Sequence, residues 1–300
     1  MATSADIGRP GAAALSPPAP APSAARPDVE PESSGTSERI LIGAFVAIPM
    51  LALLAAIPLA WGWGLGWHDI VIAVVFYVIA GAGISMGYHR YFTHGSFKAV
   101  RPFKIALGIA GSLAIEGPVM TWVADHRRHH KYSDREGDPH SPWRFGNDWK
   151  ALTKGLAYAH IGWLFDPNRT SQEKFCPDWL ADSDIVRVSR WFPGLVAVSL
   201  LAPAAIGGLW AWSWTAAVTA FFWASLVRVA FLHHADPTCA RHGVLKGQID
   251  VAARLIWAAE KLGWVYDVRW PDETRLTGKQ RPGRSRKLGS MTRRAIGSPG

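Results

Sequence analysis

Five histidines of this sequence stand at spacings that allow their imidazoles to share a metal ion. His89 and His94 lie in the segment HRYFTH, and His126, His129 and His130 lie in HRRHH. The last three are three and four residues apart, which places them on one face of a helix. Because imidazole is a good ligand for zinc, iron, copper and nickel, we predict that these five side chains bind metal.

The five-residue separation of His89 and His94 sets a condition on the backbone. An ideal α-helix places two such residues roughly 140° apart around its axis. The two imidazoles can therefore share one centre only if the helix ends or unwinds near them. The glycine that follows, Gly95, permits such a change of backbone.

Three other histidines lack this kind of spacing. His68 lies in a short connector, His140 lies in GDPHSP, and His160 lies in AYAHIGW. For each of them we expect ordinary connector or loop structure. For His140 and His160 there is an alternative, in which they support the metal ligands or line a substrate channel.

The elements that must position these residues are hydrophobic helices. The chain is 49% hydrophobic, and a bilayer is crossed by about 20 apolar residues in a helix. Four stretches meet this length with almost no charge: about 40–61, 70–88, 195–212 and 215–231. Tryptophans cluster at the ends of the last two, as they do at membrane interfaces: Trp191, Trp210, Trp212, Trp214 and Trp223. The alternative is a large soluble core, but 300 residues offer little chain to cover four such helices.

The basic residues predict how these helices are oriented. The net charge is +9, yet the connectors 62–69 and 208–214 contain no Lys or Arg. Since basic loops remain on the cytoplasmic side, both termini and residues 89–190 are predicted to be cytosolic, beneath a plasma, inner or equivalent membrane. This distribution explains the basicity without nucleic acid, because no soluble module interleaves basic with aromatic residues.

The stretch from Phe103 to Trp122 is also nearly apolar and could be taken for a fifth span. It is weakened as a helix by Gly108, Gly111, Gly117 and Pro118. A fifth crossing would also place the two histidine groups on opposite sides of the membrane. We therefore expect a helix that dips into the bilayer or lies at its interface.

Outside the membrane domain, predicted to cover residues 40–270, both ends of the chain are polar. Residues 1–39 contain seven prolines among Ala, Ser and Gly, and we predict a disordered cytosolic tail. Residues 271–300 are predicted to form a basic, disordered tail that could contact anionic lipid. The two cysteines of the chain are too few for a disulfide framework or an iron–sulfur cluster.

Three segments carry a family resemblance: GYHRYFTHGSF, WVADHRRHHKYSDREGDPHSP and AHIGWLF. They resemble the first two histidine boxes of the membrane-bound fatty acid desaturases and the segment that follows, most closely those of the acyl-CoA Δ9 type. The resemblance covers about residues 40–270. It implies an all-α integral membrane protein with four transmembrane helices and a cytosolic helical cap that holds two iron ions, which agrees with the topology inferred from charge and hydropathy.

The resemblance also implies a reaction. An enzyme of this family inserts a cis double bond into a saturated acyl chain, carried as acyl-CoA or acyl-lipid, and uses O2 and two electrons. The electrons are expected from a separate ferredoxin- or cytochrome b5-type donor, because the chain has no HPGG haem motif. A hydrophobic acyl chain needs a channel that excludes water. Trp122 and Trp163 are candidate residues for the wall of this channel.

The sequence departs from the family after the fourth span. The family has an NSxxH segment and then a third box, HxxHH, whereas this chain reads RVAFLHHADPTCARHG. His233 and His234 are ligands only if they are the surviving end of that box, and His242 does not match it. The resemblance therefore predicts an incomplete di-iron site and impaired activity, whether the gap is natural or an artefact of the gene model.

Three alternatives remain open on the sequence. A di-iron fatty acyl hydroxylase would carry the same boxes and release a hydroxylated product. A catalytically inactive member could stabilise an intact relative, which the incomplete third box favours. A zinc-binding membrane protein would need no more ligands than the five histidines of the two boxes.

Overall fold

The computed structural model describes residues 27–31, 35–61, 64–133, 135–234 and 250–270. Within these residues, four helices are long and apolar enough to cross a membrane: Thr36–Ala60, Trp67–Thr93, Phe192–Ala211 and Trp214–His234. Each overlaps one of the four predicted stretches. The fold prediction, an all-α integral membrane protein, is therefore confirmed.

The helices and strands follow one another in a simple order. The helices that contribute to the spans are α1 (Thr36–Trp61), α2 (Trp67–Ala82), α9 (Phe192–Ala211), α10 (Trp214–Ala220) and α11 (Arg228–His234), with π-helices at Gly83–Thr93 and Phe221–Val227. The other helices are α3 (Arg101–Ser112), α4 (Val119–Tyr132), α5 (Trp149–His160), a 3-10 turn (Gly162–Phe165), α6 (Gln172–Phe175), α7 (Pro177–Leu180), α8 (Ser183–Arg190) and α12 (Val251–Lys261). Two small antiparallel pairs join β1 (Val29–Pro31) to β3 (Asn168–Thr170) and β2 (Lys98–Ala99) to β4 (Val265–Tyr266).

Apolar side chains on the outer spans point away from the protein. On α1, Leu51, Leu54 and Ile57 are exposed, as expected for a helix that faces lipid rather than a protein core. The second and fourth spans are more buried than the first and third, so they form the inside of the bundle. At the turn between α9 and α10, Trp212 and Trp214 are almost fully exposed, where interfacial aromatics were predicted.

The second span changes from an α-helix to a π-helix at Gly83, where it crosses α3. A Cβ atom at Gly83 would lie 2.1 Å from the backbone nitrogen of Gly111, so the two helices touch backbone to backbone. One turn later, the Tyr88 hydroxyl lies 2.9 Å from the Ser112 hydroxyl. This crossing fixes the end of the second span against α3.

The apolar stretch from Phe103 to Trp122 does not form one long helix. The helix α3 ends at Ser112, and α4 begins at Val119. The turn between them has left-handed backbone at Ile115, with φ of +64°, and positive φ at Gly117. Gly117 and Pro118 therefore lie at the break, as predicted, whereas Gly108 and Gly111 lie inside α3, and the stretch is absent from the spans found in the described residues.

Part of the predicted N-terminal tail is ordered, so the prediction of disorder over residues 1–39 was wrong for that part. The strand Val29–Pro31 pairs with Asn168–Thr170, and α1 begins at Thr36 rather than at residue 40. Beside the strand, Asp28 accepts a hydrogen bond from Tyr132 and contacts Lys174 at 2.5 Å. These contacts offset the entropy lost when the segment becomes ordered. The composition alone had suggested that this entropy would keep the segment disordered. Residues 1–26, 32–34 and 271–300 lie outside the described residues.

The main core lies where the second span meets α3, α4 and α8. Its largest fully buried side chains include Tyr88, Phe92, Val119, Val123 and Ile185. The last described helix, α12, joins this core through Ile256 and Ala259. The cap of short helices is therefore built directly onto the end of the span that carries the first histidine pair.

Candidate metal centre

Four of the five predicted ligands meet at the junction of the second span and α4. His89 lies in the π-helix and His94 follows it directly, while His126 and His130 lie on α4. One nitrogen from each of these four side chains lies within 4.8 Å of the other three. Such convergence is what a single bound ion requires, so this four-histidine group could hold a metal.

The Nε2 atoms are the ones that face each other within each pair. They are 3.3 Å apart in His89 and His94, and 3.1 Å apart in His126 and His130. The two pairs then stand side by side, because the ring centres of His89 and His126 are 4.9 Å apart. We infer that Nε2 is the donor atom available to a metal in this group.

The π-helix is what brings the first pair together. The backbone N–H of His94 donates to the carbonyl oxygen of His89 over 3.1 Å, a bond that spans five residues instead of four. In such a widened turn, residues five apart lie next to each other. The helix therefore widens at this pair and ends at Thr93, and the backbone then turns at Gly95, whose φ is +56°.

Tryptophan covers one side of the four-histidine group. The ring of Trp122 stacks on His126 with a centre distance of 4.5 Å and an angle of 20°. Its Nε1 atom donates to Glu116 over 3.0 Å, which fixes the indole in place. The residue predicted as a channel wall therefore borders the candidate metal site.

The surroundings keep the second pair uncharged. Burial, and then the neighbouring imidazoles, lower the pKa of His126 to about 2. Burial also lowers the pKa of His130. An imidazole must be neutral to donate a lone pair to a metal, so these two side chains are in the binding form at neutral pH. The donor set fits a divalent transition metal such as iron or zinc.

The fifth predicted ligand, His129, belongs to a different group. Its Nδ1 atom lies 3.0 Å from Oδ1 and 3.1 Å from Oδ2 of Asp138. The Nδ1 atom of His140 lies 3.8 Å from Oδ1 of the same carboxylate. One ligand atom from each of these three residues lies within 4.8 Å of the others.

Two members of this second group were not predicted as ligands from the sequence. His140 was expected to be a loop residue, with support of the metal ligands or a place in the channel as the alternative, and Asp138 was not singled out. The available signal was GDPHSP, in which an acid and a histidine lie two residues apart shortly after the second box. The Trp163 ring meets His140 at 5.2 Å, edge to face, so the second candidate wall residue borders this group.

The structure does not bring His233 and His234 into either group. His233 donates from Nε2 to the carbonyl oxygen of Ala114 over 2.9 Å. His234 bonds through Nδ1 to the carbonyl oxygen of Ala230 over 2.7 Å, and its ring contacts His160. Residues 235–249, which include His242 and the site of the apparent gap, lie outside the described residues.

Comparison with known proteins places these features in a family. Residues 65–257 match the family model described as fatty acid desaturase. The chain is 30% identical over 278 residues to hex-5-enoyl-[acyl-carrier protein] acetylenase of Moorena producens (strain JHB), a match that covers 78% of this chain and 87% of that protein.

Two desaturases show comparable similarity. The chain is 29% identical over 273 residues to sn-1 stearoyl-lipid 9-desaturase of Synechocystis sp., which covers 78% of this chain and 81% of that protein. It is 32% identical over 198 residues to Delta(9)-fatty-acid desaturase fat-6 of Caenorhabditis elegans, with 62% of this chain covered. Against the nematode protein the match spans 55% of the relative's length.

Proposed function

This chain belongs to the fatty acid desaturase family, and from that premise we propose that it is an oxygen-dependent enzyme that inserts a cis double bond into a saturated fatty acyl chain. The names of its relatives include a stearoyl-lipid desaturase and an enzyme of acyl-carrier-protein substrates. We propose an acyl-CoA or acyl-lipid substrate, with the acyl-carrier-protein form as a third carrier to test.

The convergence of four imidazoles at the end of the second span carries this proposal. Two of them come from the membrane span and two from α4, so the group forms only when the cap folds onto the membrane domain. A bound iron centre supplies the oxidant needed to remove hydrogen from an unactivated CH2 group, using O2 and two electrons. His89, His94, His126 and His130 would hold it.

We propose that the side chains around the metal site position the substrate and exclude water from it. The Trp122 indole, held by Glu116, packs flat against His126 and covers that side of the group. Trp163 borders the neighbouring group through His140. We propose that an acyl chain passes along these two aromatic rings, because apolar walls would position its CH2 groups and keep water from the site.

The charge pattern supports a proposal for the orientation and for the kind of electron donor. The basic residues between the second and third spans support a cytosolic cap, with both termini on the same side. We propose that a separate ferredoxin- or cytochrome b5-type protein delivers the electrons there. A basic face would favour an acidic donor through long-range attraction.

A product analysis tests the proposed reaction. The full chain is expressed in a host deficient in its own desaturase, and the fatty acids are separated by gas chromatography. We expect new monounsaturated chains with the wild-type protein, none with His126→Gln, and unchanged levels with His68→Gln. Hydroxylated chains would instead assign a hydroxylase, and purified protein that contains zinc without iron would assign a zinc-binding protein.

One observation favours a second candidate, an inactive family member that stabilises an intact relative. The third histidine box is incomplete in the sequence, and His233 and His234 form hydrogen bonds to backbone carbonyls. In that case the chain forms no unsaturated product, yet it raises the activity of a co-expressed desaturase with complete boxes. The same host, with and without the intact relative, separates the two functions.

A further inference from the structure

We propose that His129, Asp138 and His140 form a second metal site, which binds ferrous iron beside the four-histidine group. This inference rests on the proposed function, since it supplies ligands for the second ion that the di-iron chemistry requires. It assigns a carboxylate and a loop histidine to that role, in place of residues from the incomplete third box.

The separations between these ligand atoms suit one shared ion. Two atoms bound to one metal at about 2.1 Å lie about 3.0 Å apart when the bond angle is near 90°. His129 Nδ1 and Asp138 Oδ1 are 3.0 Å apart. The 3.8 Å between His140 Nδ1 and the same oxygen fits a wider angle. The three atoms could therefore converge on one ion with little movement.

The chemical composition of the group indicates which metal it would prefer. Two imidazoles with one carboxylate leave several coordination positions open, an arrangement typical of non-haem ferrous iron. The Asp138 side chain is fully buried, so its negative charge is favourable only close to positive charge or strong donors. A divalent cation between the carboxylate and the two rings would add a full positive charge to the donors that Asp138 already has.

The backbone around Asp138 is shaped to present it. The preceding Gly137 has a φ of +99°, and a Cβ there would lie 3.1 Å from the Tyr132 ring at the end of α4. The chain therefore turns back sharply after α4, and the backbone N–H of His140 donates to Asp138 Oδ1 over 3.1 Å. This turn returns the loop to the helix at the level of His129.

The two groups are neighbours because each of them contains histidines of the second box. His126 and His130 face the pair from the second span, whereas His129 faces Asp138. The ring centres of His129 and His130 are only 5.6 Å apart. Two ions held by these groups would thus be bound by neighbouring residues of the same helix.

A competing explanation is that Asp138 only orients His129. Histidines that bind metal through one nitrogen commonly donate a hydrogen bond to a carboxylate from the other. That role needs His129 and Asp138 alone. It does not explain why the Nδ1 of His140 faces the same oxygen, with its ring 4.4 Å from that of His129. The role of His140 therefore distinguishes the two explanations.

The test measures iron bound by the purified full-length protein in detergent, loaded anaerobically with Fe2+ alone. We compare the wild type with Asp138→Asn, His140→Gln and His126→Gln. The matched controls are Asp69→Asn and His68→Gln, because this aspartate is also buried beside a histidine, at 3.2 Å, and belongs to neither group. Mössbauer spectra of 57Fe-loaded protein report the environments of the bound ions, and size-exclusion profiles confirm that each variant is folded.

We expect about two irons per wild-type chain and about one in both Asp138→Asn and His140→Gln, with one Mössbauer component lost. Both controls should retain the wild-type content. The proposal is overturned if His140→Gln keeps the wild-type content and spectrum, whatever Asp138→Asn does. A single iron in the wild type, lost in His126→Gln, overturns the second site but leaves the first centre standing. No iron in any form overturns the proposed function itself.

Discussion

Arg127 donates a 2.6 Å hydrogen bond from Nη2 to the carbonyl oxygen of Phe92, two residues before the metal-ligand candidate His94. The same guanidinium pairs with Asp178 through two bonds of 2.7 and 2.8 Å. Arg127 lies between the two ligands His126 and His130 in the sequence but points to the other side of α4. It therefore fixes the end of the π-helix against α4, which sets the separation of the two histidine pairs.

Arg127→Ala should disturb the four-histidine group without removing a ligand. The carbonyl of Phe92 and the carboxylate of Asp178 would lose their charged donor, at a cost of about 2 kcal/mol in unfolding free energy. We expect reduced iron content together with a lower melting temperature in detergent. Arg127→Lys keeps the charge but not the forked geometry, so it should recover only part of both. Unchanged iron in Arg127→Ala would refute this positioning role.

Gly83→Ala should be far more harmful than Gly81→Ala in the same span. A Cβ atom at Gly83 would lie 2.1 Å from the backbone of α3, whereas one at Gly81 would lie 3.7 Å from the end of the Leu232 side chain. The first change must separate two helices and displace the π-helix that carries His89. We expect Gly83→Ala to lower the unfolding free energy by about 2 kcal/mol or more and Gly81→Ala to have little effect, as measured by thermal melting and iron content.

Asp28→Asn should remove a pH-dependent part of the stability. The hydrogen bonds from Lys174 and Tyr132 lower the pKa of Asp28 to about 2 from 3.8. A carboxylate with a lowered folded-state pKa stabilises the fold above its unfolded pKa and loses this effect as pH falls towards about 2.

The wild type should thus melt higher than Asp28→Asn near neutral pH, and the difference should shrink between pH 4 and pH 2. Because Asp28 is partly exposed, we expect less than about 1 kcal/mol. Lys174→Gln should lower the melting temperature in the same direction as Asp28→Asn. A difference in melting temperature that stays constant across this pH range would contradict the assignment.

Arg228→Gln should weaken the membrane domain, because this buried arginine joins three helices. Its Nε donates to Ala224 on its own helix, Nη1 to the Leu113 carbonyl at the end of α3, and Nη2 to the Ser199 hydroxyl on α9. A charged group inside a bundle is costly unless it is fully bonded. We expect a loss of about 2–3 kcal/mol in denaturant titrations, whereas Val218→Ala, at an exposed position, should be close to neutral.

The hydrophobic spans could be predicted from sequence because a bilayer demands long uncharged helices, and that demand is visible in composition. The convergence of His89 with His126 could also be predicted from the boxes. The π-helix could not, since a shift of backbone hydrogen bonds leaves no regular side-chain pattern. The pairing of His129 with Asp138 depends on a loop that turns back on α4, and the ordered strand Val29–Pro31 depends on contacts made by Asp28 with distant residues.

The widened turn at His89 has a consequence for how the first box is compared or transplanted. His126 and His130 meet across four residues of α-helix, whereas His89 and His94 meet across five residues of π-helix. In each box, the interval between the two histidines therefore matches the number of residues per helical turn. Deleting one residue between His89 and His94 would leave the four-residue interval of the second box. A helix with fewer residues per turn would then be required to align the imidazoles. A chimera that exchanges the boxes must therefore also exchange the type of helix, π or α, that carries each histidine pair.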